Sequence, residues 1–400
     1  MAGESGLRVL LFTDTLGDVN GVSRFIRNAA ACALSTGRDL RVVTSTNFRV
    51  PAERHILNFP PRAAMRMPKY ENLELVLPPV VRMLRAAQDL RPDAVHVSTP
   101  GPVGLVGLLA AWRMGVPILG TYHTDFPAYI ERLFGNDSLA WMSRGVMRAF
   151  YGPFRVLFSR SEGYIEAIAG LGFDRARCVL LRPGIALDQF GPGLRDVAAM
   201  ASLCGSPPGR IRVLYVGRVS VEKNLPMLAR AWAAADAELN RRGVDAELVV
   251  VGDGPYLAAM REELRGHRAV FLGFRHGPEL AMCYAGCDLF AFPSTTDTLG
   301  QVVMEAQASG LPVLVTDEGG PKEIVRDGVT GRVLRADPGL WAKEIAAMAD
   351  DGERRGAMGD AAAGFMAGFP FERSFEHWWG VHRDVVDDRG SVAARRPGRE

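Results

Sequence analysis

The sequence predicts an α/β protein made of two doubly wound domains. Three observations carry this. Continuous apolar strands alternate with helical periods from residue 7 onward. A Pro/Gly-rich stretch at 182–210 (RPGIALDQFGPGLRD…SPPGR) interrupts the alternation, which restarts at residue 211. The chain has 400 residues, the length of two ordinary domains.

The first domain opens with a strand at 7–12 (LRVLLF), a polar loop at 13–21 and a helix at 22–34. Val22, Phe25, Ile26, Ala29, Ala30 and Ala33 fall on one face of that helix, the spacing of an amphipathic turn. Strands are predicted at 40–44 and 73–77, and a helix at 79–90 with Pro79 in its first turn. Strand 94–98, helix 103–114 and strand 117–121 follow, then strand 155–159, helix 161–170 and strand 178–181. The domain is placed at 1–185, and 186–210 is read as a linker.

The second domain is placed at 211–370. Its pattern is strand 211–216, loop 217–224, helix 225–241 and strand 246–251, with a Gly-Asp-Gly-Pro turn at 252–255. Strand 270–272, helix 278–285, strand 289–292, helix 301–309 and strand 312–316 continue it, and helices near 338–348 and 354–364 close it. A last helix over 371–387, carrying Trp378 and Trp379, is expected to return to the first domain. The tail 388–400 is expected to be disordered.

Composition narrows the class. Hydrophobic residues make up 48% and charged residues 23%, enough apolar surface to exclude a disordered or collagen-like chain. The formal charge of +2 conceals a split: 22 basic and 15 acidic residues over 1–185, against 25 and 30 over 186–400. The five cysteines are odd in number and scattered, which argues against a disulfide framework. Cys283 and Cys287 are one helical turn apart but have no second Cys/His pair at metal spacing, so they read as buried thiols and no metal is expected. The longest apolar run, 103–112, ends at Arg113, well short of the ~20 residues of a membrane span. The N-terminus lacks a signal-type apolar stretch. A cytoplasmic protein is expected, with peripheral attachment to the inner face of the cell membrane left open.

Ligands of doubly wound sheets bind at the carboxyl ends of the strands, so the loops after strands are the places to search. In 292–312 (FPSTTDTLGQVVMEAQASGLP), Asp297 precedes a helix opened by Gly300 and carrying Glu305. The free N–H groups of a helix start can anchor anions, and carboxylates accept sugar or ribose hydroxyls. A capping Asp and a surface Glu would give the same spacing. In 216–224 (VGRVSVEKN), Arg218 and Lys223 suit a diphosphate, or are two solvated loop cations. The loop TDTLGDVNGV at 13–22 places Gly21 before a helix, where a backbone N–H can approach a phosphate, but it is not a GxGxxG fingerprint. In 120–129 (GTYHTDFPAY), His123, Thr124 and Asp125 form a polar cluster just past a strand, as either structural or functional residues.

Together these segments, with VGDGP at 251–255 and LGFR at 272–275, resemble the retaining glycosyltransferases of the GT-B fold, family 4, from Leu7 to the C-terminal helix. The resemblance implies two doubly wound Rossmann-like domains facing across a cleft, the first for the acceptor and the second for a nucleotide-diphospho-sugar. It implies that Arg218 and Lys223 hold the donor phosphates and Glu305 the ribose hydroxyls. Asp297 and the backbone of Thr298, Leu299, Gly300 and Gln301 would hold the donor sugar, with Gly217, Asp253 and Arg275 also on the donor side. Asn20 and Gly21 would approach the phosphate from the first domain, and His123, beside Asp125, would contact the sugar near its reacting carbon. His123, Asp125, Arg218, Lys223 and Asp297 are thus the implied catalytic set. Two positions depart from the family pattern: Asp297 stands where Glu is usual, and Asn20 where Gly is usual. DTLG and YHTDFPAYI look like the subgroup that glycosylates lipids, which includes sulfolipid synthases and GDP-mannose-dependent mannosyltransferases.

The implied chemistry is transfer of a hexosyl group, with GDP-mannose ranked ahead of a UDP-sugar, to a lipid or lipid-linked hydroxyl. The leaving phosphate oxygen would take the acceptor proton, so no nucleophilic carboxylate is needed, unlike in glycosidases. No DxD metal motif lies near the site, and no cofactor is expected. Basic residues interleaved with large apolar ones at 59–70 (Arg62, Arg66, Lys69) and 141–155 (Arg144, Arg148, Arg155) suit an anionic membrane surface, or are arginines over a core stripe. A soluble saccharide or sugar-phosphate acceptor, and a non-catalytic nucleotide-sugar-binding protein, are the alternatives. No nucleic-acid partner is expected.

Overall fold

The computed structural model describes residues 6–17, 21–67, 70–123 and 137–394. The chain forms two compact units, Met1–Arg182 with Glu372–Glu400, and Pro183–Phe371.

In the first unit the strands are β1 (Arg8–Phe12), β2 (Asp39–Thr44), β3 (Ile56–Asn58), β4 (Ala63–Met67), β5 (Tyr70–Leu77), β6 (Ala94–Val97), β7 (Ile118–Tyr122), β8 (Val156–Ser159) and β9 (Cys178–Leu180). Its helices are α1 (Gly21–Ser35), α2 (Val80–Leu90), α3 (Pro102–Met114), α4 (Asp137–Tyr151) and α5 (Glu162–Gly170). Seven strands form a sheet in the order β3-β2-β1-β6-β7-β8-β9. Every pairing in it is parallel. β4 and β5 make a separate antiparallel hairpin; the strand predicted at 73–77 falls within β5, whereas its partner β4 is not in the sequence reading. The chain progresses one way from β1 to β3 and the other way from β6 to β9. The connections diverge between β1 and β6, which opens a crevice at the carboxyl ends of those strands.

The second unit adds α6 (Val197–Cys204), β10 (Ile211–Val216), α7 (Leu225–Arg242), β11 (Ala246–Val251), α8 (Leu257–Glu263), β12 (Ala269–Gly273), α9 (Gly277–Ala285), β13 (Leu289–Phe292), α10 (Gln301–Ala308), β14 (Val313–Thr316), β15 (Gly331–Leu334), α11 (Pro338–Asp350) and α12 (Gly352–Met366). Its six-stranded parallel sheet runs β12-β11-β10-β13-β14-β15, and the reversal falls at β10. β11, β13 and β14 are buried along their whole length, as expected of strands covered on both faces.

The structure corrects two sequence readings. Residues 186–210 are not a linker. Phe190 and Met200 enter the core of the second unit, and Arg195 donates to the carbonyl of Cys287 at 2.7 Å. Ser206 and the Pro207 carbonyl complete the hydrogen bonding of Arg212, which forms a fully buried ion pair with Glu247. A buried pair needs such extra partners to offset its desolvation, and the Pro/Gly segment supplies them. The second correction concerns the tail: the last helix, α13 (Phe371–Ala394), continues through residues 388–394, which were expected to be disordered.

All of α13 beyond its first residue belongs to the first unit. Arg38 grips Glu376 with two guanidinium nitrogens. Inside, Trp378, His382 and His96 are each at most 1% exposed. His382 Nδ1 lies 2.8 Å from the Trp378 carbonyl, so it carries the proton. His382 Nε2 then accepts from His96 Nδ1 at 3.0 Å, and His96 Nε2 accepts from the Thr121 hydroxyl at 3.0 Å. This arrangement of protons satisfies the whole chain with both imidazoles neutral. Burial pushes both below their ordinary value, His382 to about 4.

Unfolded histidine binds protons near pH 6.5, so between about pH 4 and 6.5 the unfolded chain holds more protons than the folded one. Stability should therefore fall as pH drops through this window, by up to about 3 kcal/mol for His382. Urea melts at pH 7 and pH 5 should show the drop, and a His382→Gln variant should show a smaller one. Equal pH dependence in the two proteins would contradict this account.

Candidate functional site

In the second unit the loops after β10, β11, β13 and β14 interlock by backbone contact. Gly217 N donates to the Val251 carbonyl at 3.0 Å, and Val219 N to the Asp253 carbonyl at 2.9 Å. Gly252 has a φ of +137°, and a Cβ there would lie 1.9 Å from the Gly217 carbonyl oxygen. Gly320 N donates to the Asp297 carbonyl at 2.8 Å, and a Cβ on Gly320 would lie 1.9 Å from the Thr298 oxygen. Only glycine permits these approaches.

Across the switch point, between β10 and β13, the link is made by side chains. Lys223 Nζ lies 2.8 Å from both carboxylate oxygens of Asp297. Thr296 Oγ1 donates to the Glu222 carbonyl at 3.3 Å and Asn224 Nδ2 to the Pro293 carbonyl at 3.2 Å. Lys223 and Asp297 are each about one-fifth exposed, so the pair is open to a ligand yet partly shielded from water. This excludes the reading of Lys223 as a freely solvated cation.

Arg218 sits on the same loop. Its carbonyl accepts from the buried Tyr215 hydroxyl at 2.8 Å, and its guanidinium lies 3.9 Å from Glu222. Burial, then the charge of Asp297, raises the Tyr215 hydroxyl well above its ordinary value, so it stays protonated as a donor. α10 starts at Gln301 behind Gly300, whose φ is +73°, with no side-chain cap. Both polar atoms of the Gln301 side chain are buried and lack a hydrogen-bond partner among the described residues. Thr298 is half-buried and Leu299 is buried, so that loop presents backbone more than side chain.

Glu305 is 0% exposed, which excludes a surface carboxylate. Its Oε2 accepts from the Tyr284 hydroxyl of α9 at 2.8 Å. Tyr284 is a partner the sequence reading missed; only the fold brings α9 and α10 together. Asp253 is exposed and accepts from Gly254 N at 2.7 Å. Arg275, past β12, pairs with Glu279 at 3.3 Å. Among the described residues neither Asp253 nor Arg275 contacts the Lys223–Asp297 pair. Cys283 and Cys287 are buried thiols, with Cys283 pushed up to about 12 by burial. Among the described residues no cluster of His, Cys, Asp and Glu could hold a metal ion.

In the first unit, Gly21 is the first residue of α1, while Asn20, Thr124 and Asp125 lie outside the described residues. His123 follows β7, and its Nε2 lies 3.0 Å from the hydroxyl of Ser98, which follows β6. Burial, then the nearby Arg160, hold this imidazole well below its ordinary value, so it is neutral. Asp14, two residues past β1, accepts from Thr99 Oγ1 at 2.7 Å and Val103 N at 2.8 Å. It thereby satisfies the open start of α3, and burial raises its carboxyl. Asp14, Ser98 and Arg160 were not singled out from the sequence; each stands just past a strand end, the one signal that could have found them.

Residues 210–351 match the model of glycosyl transferases group 1, and residues 19–189 that of glycosyltransferase family 4. A GDP-mannose-dependent alpha-mannosyltransferase of Mycobacterium tuberculosis is 33% identical over 82% of this chain and 84% of its own. The chain belongs to glycosyltransferase family 4. The sulfoquinovosyl transferase of Arabidopsis thaliana is 28% identical over 89% of this chain and 69% of its own. A D-inositol 3-phosphate glycosyltransferase of an Arthrobacter strain is 29% identical over 90% and 88%. Among solved structures, Anabaena HepE in complex with UDP and glucose superposes with a TM-score of 0.76 at 18% identity, covering 94% of this chain and all of that one. The family 4 chain is a glycosyltransferase with two parallel-sheet Rossmann-like domains, as the strand pattern predicts.

Tyr284→Phe removes a hydrogen bond to a buried carboxylate. The variant should lose about 1–3 kcal/mol of stability in urea melts. An unchanged midpoint would show that Glu305 does not depend on the tyrosine.

Proposed function

We propose that this family 4 enzyme transfers a hexosyl group from a nucleotide-diphospho-sugar, with retention, to a lipid or lipid-linked hydroxyl. The observation that carries the reading is the arrangement of Arg218, Lys223 and Asp297 beside the uncapped start of α10, at the switch point of the second sheet. A diphosphate there meets two cations and free backbone donors, which stabilise the charge that develops as the phosphate leaves. Lys223 exchanges its carboxylate partner for phosphate, and Asp297 becomes free to accept sugar hydroxyls. The bond from the anomeric carbon to phosphate breaks as the bond to the acceptor oxygen forms on the same face. The acceptor proton passes to the leaving phosphate oxygen. With two cations placed for the phosphates, turnover needs no metal.

GDP-mannose is favoured as donor because relatives at 33% identity carry that specificity in their names. A lipid acceptor is supported by the outer faces of α3 and α4. These helices make successive connections, β6 to β7 and β7 to β8, and right-handed crossovers put both on one face of the sheet. Leu105 and Trp112 on α3 are 56% and 77% exposed, and Trp141 and Val146 on α4 are 74% and 60%. Arg113, Arg144 and Arg148 stand among them, exposed. Met147, Phe150, Tyr151 and Phe154 are core residues instead, so the docking stripe is narrower than the sequence spacing implies. Among the described residues no helix is long and apolar enough to cross a membrane. Attachment would be to the inner, cytoplasmic surface. The charge split persists between the units, with 28 basic and 21 acidic residues in the first and 19 and 24 in the second.

Lys223→Ala and Arg218→Ala should each weaken nucleoside diphosphate binding by about tenfold or more. A thermal-shift series with GDP, UDP and ADP sugars should show the largest stabilisation with GDP-mannose. Full activity in EDTA is expected; loss restored by Mg²⁺ would refute the metal-free route. The chain should float with anionic vesicles at low salt and not with neutral ones, and a Trp112→Ser/Trp141→Ser variant should float less. Equal flotation with both vesicle types would point to a soluble acceptor.

A further inference from the structure

The first unit holds a buried cation that neither the fold nor the proposed donor chemistry uses. Arg160 follows β8 directly and is 8% exposed. Its guanidinium stacks over the ring of Phe25 in α1, 4.5 Å from the centroid. Its Nη2 is buried and, among the described residues, has neither a hydrogen-bond partner nor a carboxylate to pair with. A buried guanidinium without an anion is costly, because its desolvation goes unrepaid. Burial alone pulls it down, to about 10.

The strand register places this cation beside His123. Tyr122 and Ser159 are paired residues of β7 and β8, so the residues that follow them, His123 and Arg160, emerge side by side at the carboxyl edge. Ser98, from the next strand over, holds the imidazole. The next residue after Arg160 is Ser161, the uncapped N-cap of α5, and its hydroxyl is also buried and unpartnered. Two polar side chains, each more than nine-tenths buried and without a partner among the described residues, thus stand in successive positions, the second of them at the positive end of a nine-residue helix.

We infer that Arg160, with Ser161 and the first amides of α5, forms an anion subsite in the first unit that takes a phosphate-type group of the acceptor. Phe25 keeps the planar fork rigid, so two nitrogens can face two anion oxygens. The acceptor hydroxyl carried by the same molecule then lies near neutral His123. The inference rests on the reading that the first unit takes the acceptor, and it narrows that acceptor to an anionic one. The anion could belong to a lipid headgroup or to a free sugar phosphate; both present the same phosphate oxygens.

The test uses the full chain and inorganic phosphate, observed at the imidazole resonance that a His123→Gln variant lacks. That probe reports the first unit, and the Arg218→Gln variant controls for phosphate bound at the loop of the second unit. Phosphate should move the resonance saturably and raise its titration midpoint, since a dianion beside the imidazole favours its charged form. Burial, then the charge of Arg160, set the starting point, and among the described residues Ser98 and His96 also face the ring. Arg160→Gln should weaken phosphate binding about tenfold or more, while Arg218→Gln leaves it unchanged. An unmoved His123 resonance in the unaltered protein, or equal affinity in Arg160→Gln, overturns the subsite. The first of these decides the matter even if Arg160→Gln does not fold. Displacement of phosphate by glycerol phosphate supports the subsite with a soluble source, and displacement by phosphatidylglycerol vesicles supports it with a lipid source. Displacement by neither overturns it. None of these readouts needs turnover, so failure of the transferase reading would appear separately, as absent donor consumption.

Discussion

The divergence of the chain at β10 is the constraint on which the candidate site of the second unit depends. A parallel sheet must return each connection over one of its faces, and where the direction reverses, two neighbouring strands send their following loops apart. The loops after β10 and β13 therefore flank a crevice at the carboxyl ends of those strands. Glycines at 252 and 320 then let the outer loops, after β11 and β14, close against them by main-chain contact. The site is a consequence of strand order first and of side chains second.

The Lys223–Asp297 pair completes this crevice without a ligand. Left apart, a lysine and an aspartate at these depths would each lose solvation with little return. Paired, each offsets the other's lost solvation while staying about one-fifth exposed. Glu305 is handled differently, buried completely and anchored to Tyr284. Two carboxylates eight residues apart in one segment thus receive opposite environments. That difference follows from the turn at Gly300: Asp297 precedes it on the loop, and Glu305 lies beyond it on α10, where it meets Tyr284 of α9.

The first unit is built on the same divergence, between β1 and β6, but its polar groups are mostly internal. Asp14 ties β1 to the start of α3. The Thr121, His96, His382 and Trp378 chain ties the middle of the sheet to α13 through neutral imidazoles. The last helix is therefore part of the hydrogen bonding of this core as well as its packing, which is why the unit comprises two stretches of sequence far apart in the chain.

Much of this was legible in the sequence, because it is local. Strand and helix periods, the glycine loops and the motif segments at 216–224 and 292–312 depend on neighbours a few residues away. They sufficed for the fold class and for the family. The elements that were missed are those whose stability comes from elsewhere. β4 takes its place from pairing with the predicted strand at 73–77, and α6 looks like part of a linker until Met200 meets the core. Arg160 and Tyr284 were invisible for the same reason: their meaning lies in partners more than twenty residues away, or in the lack of any. The sequence by itself determined two doubly wound domains and which loops carry charge. Only the tertiary structure decided which of those charges are paired, which are buried and which stand alone, because desolvation depends on packing and not on order along the chain.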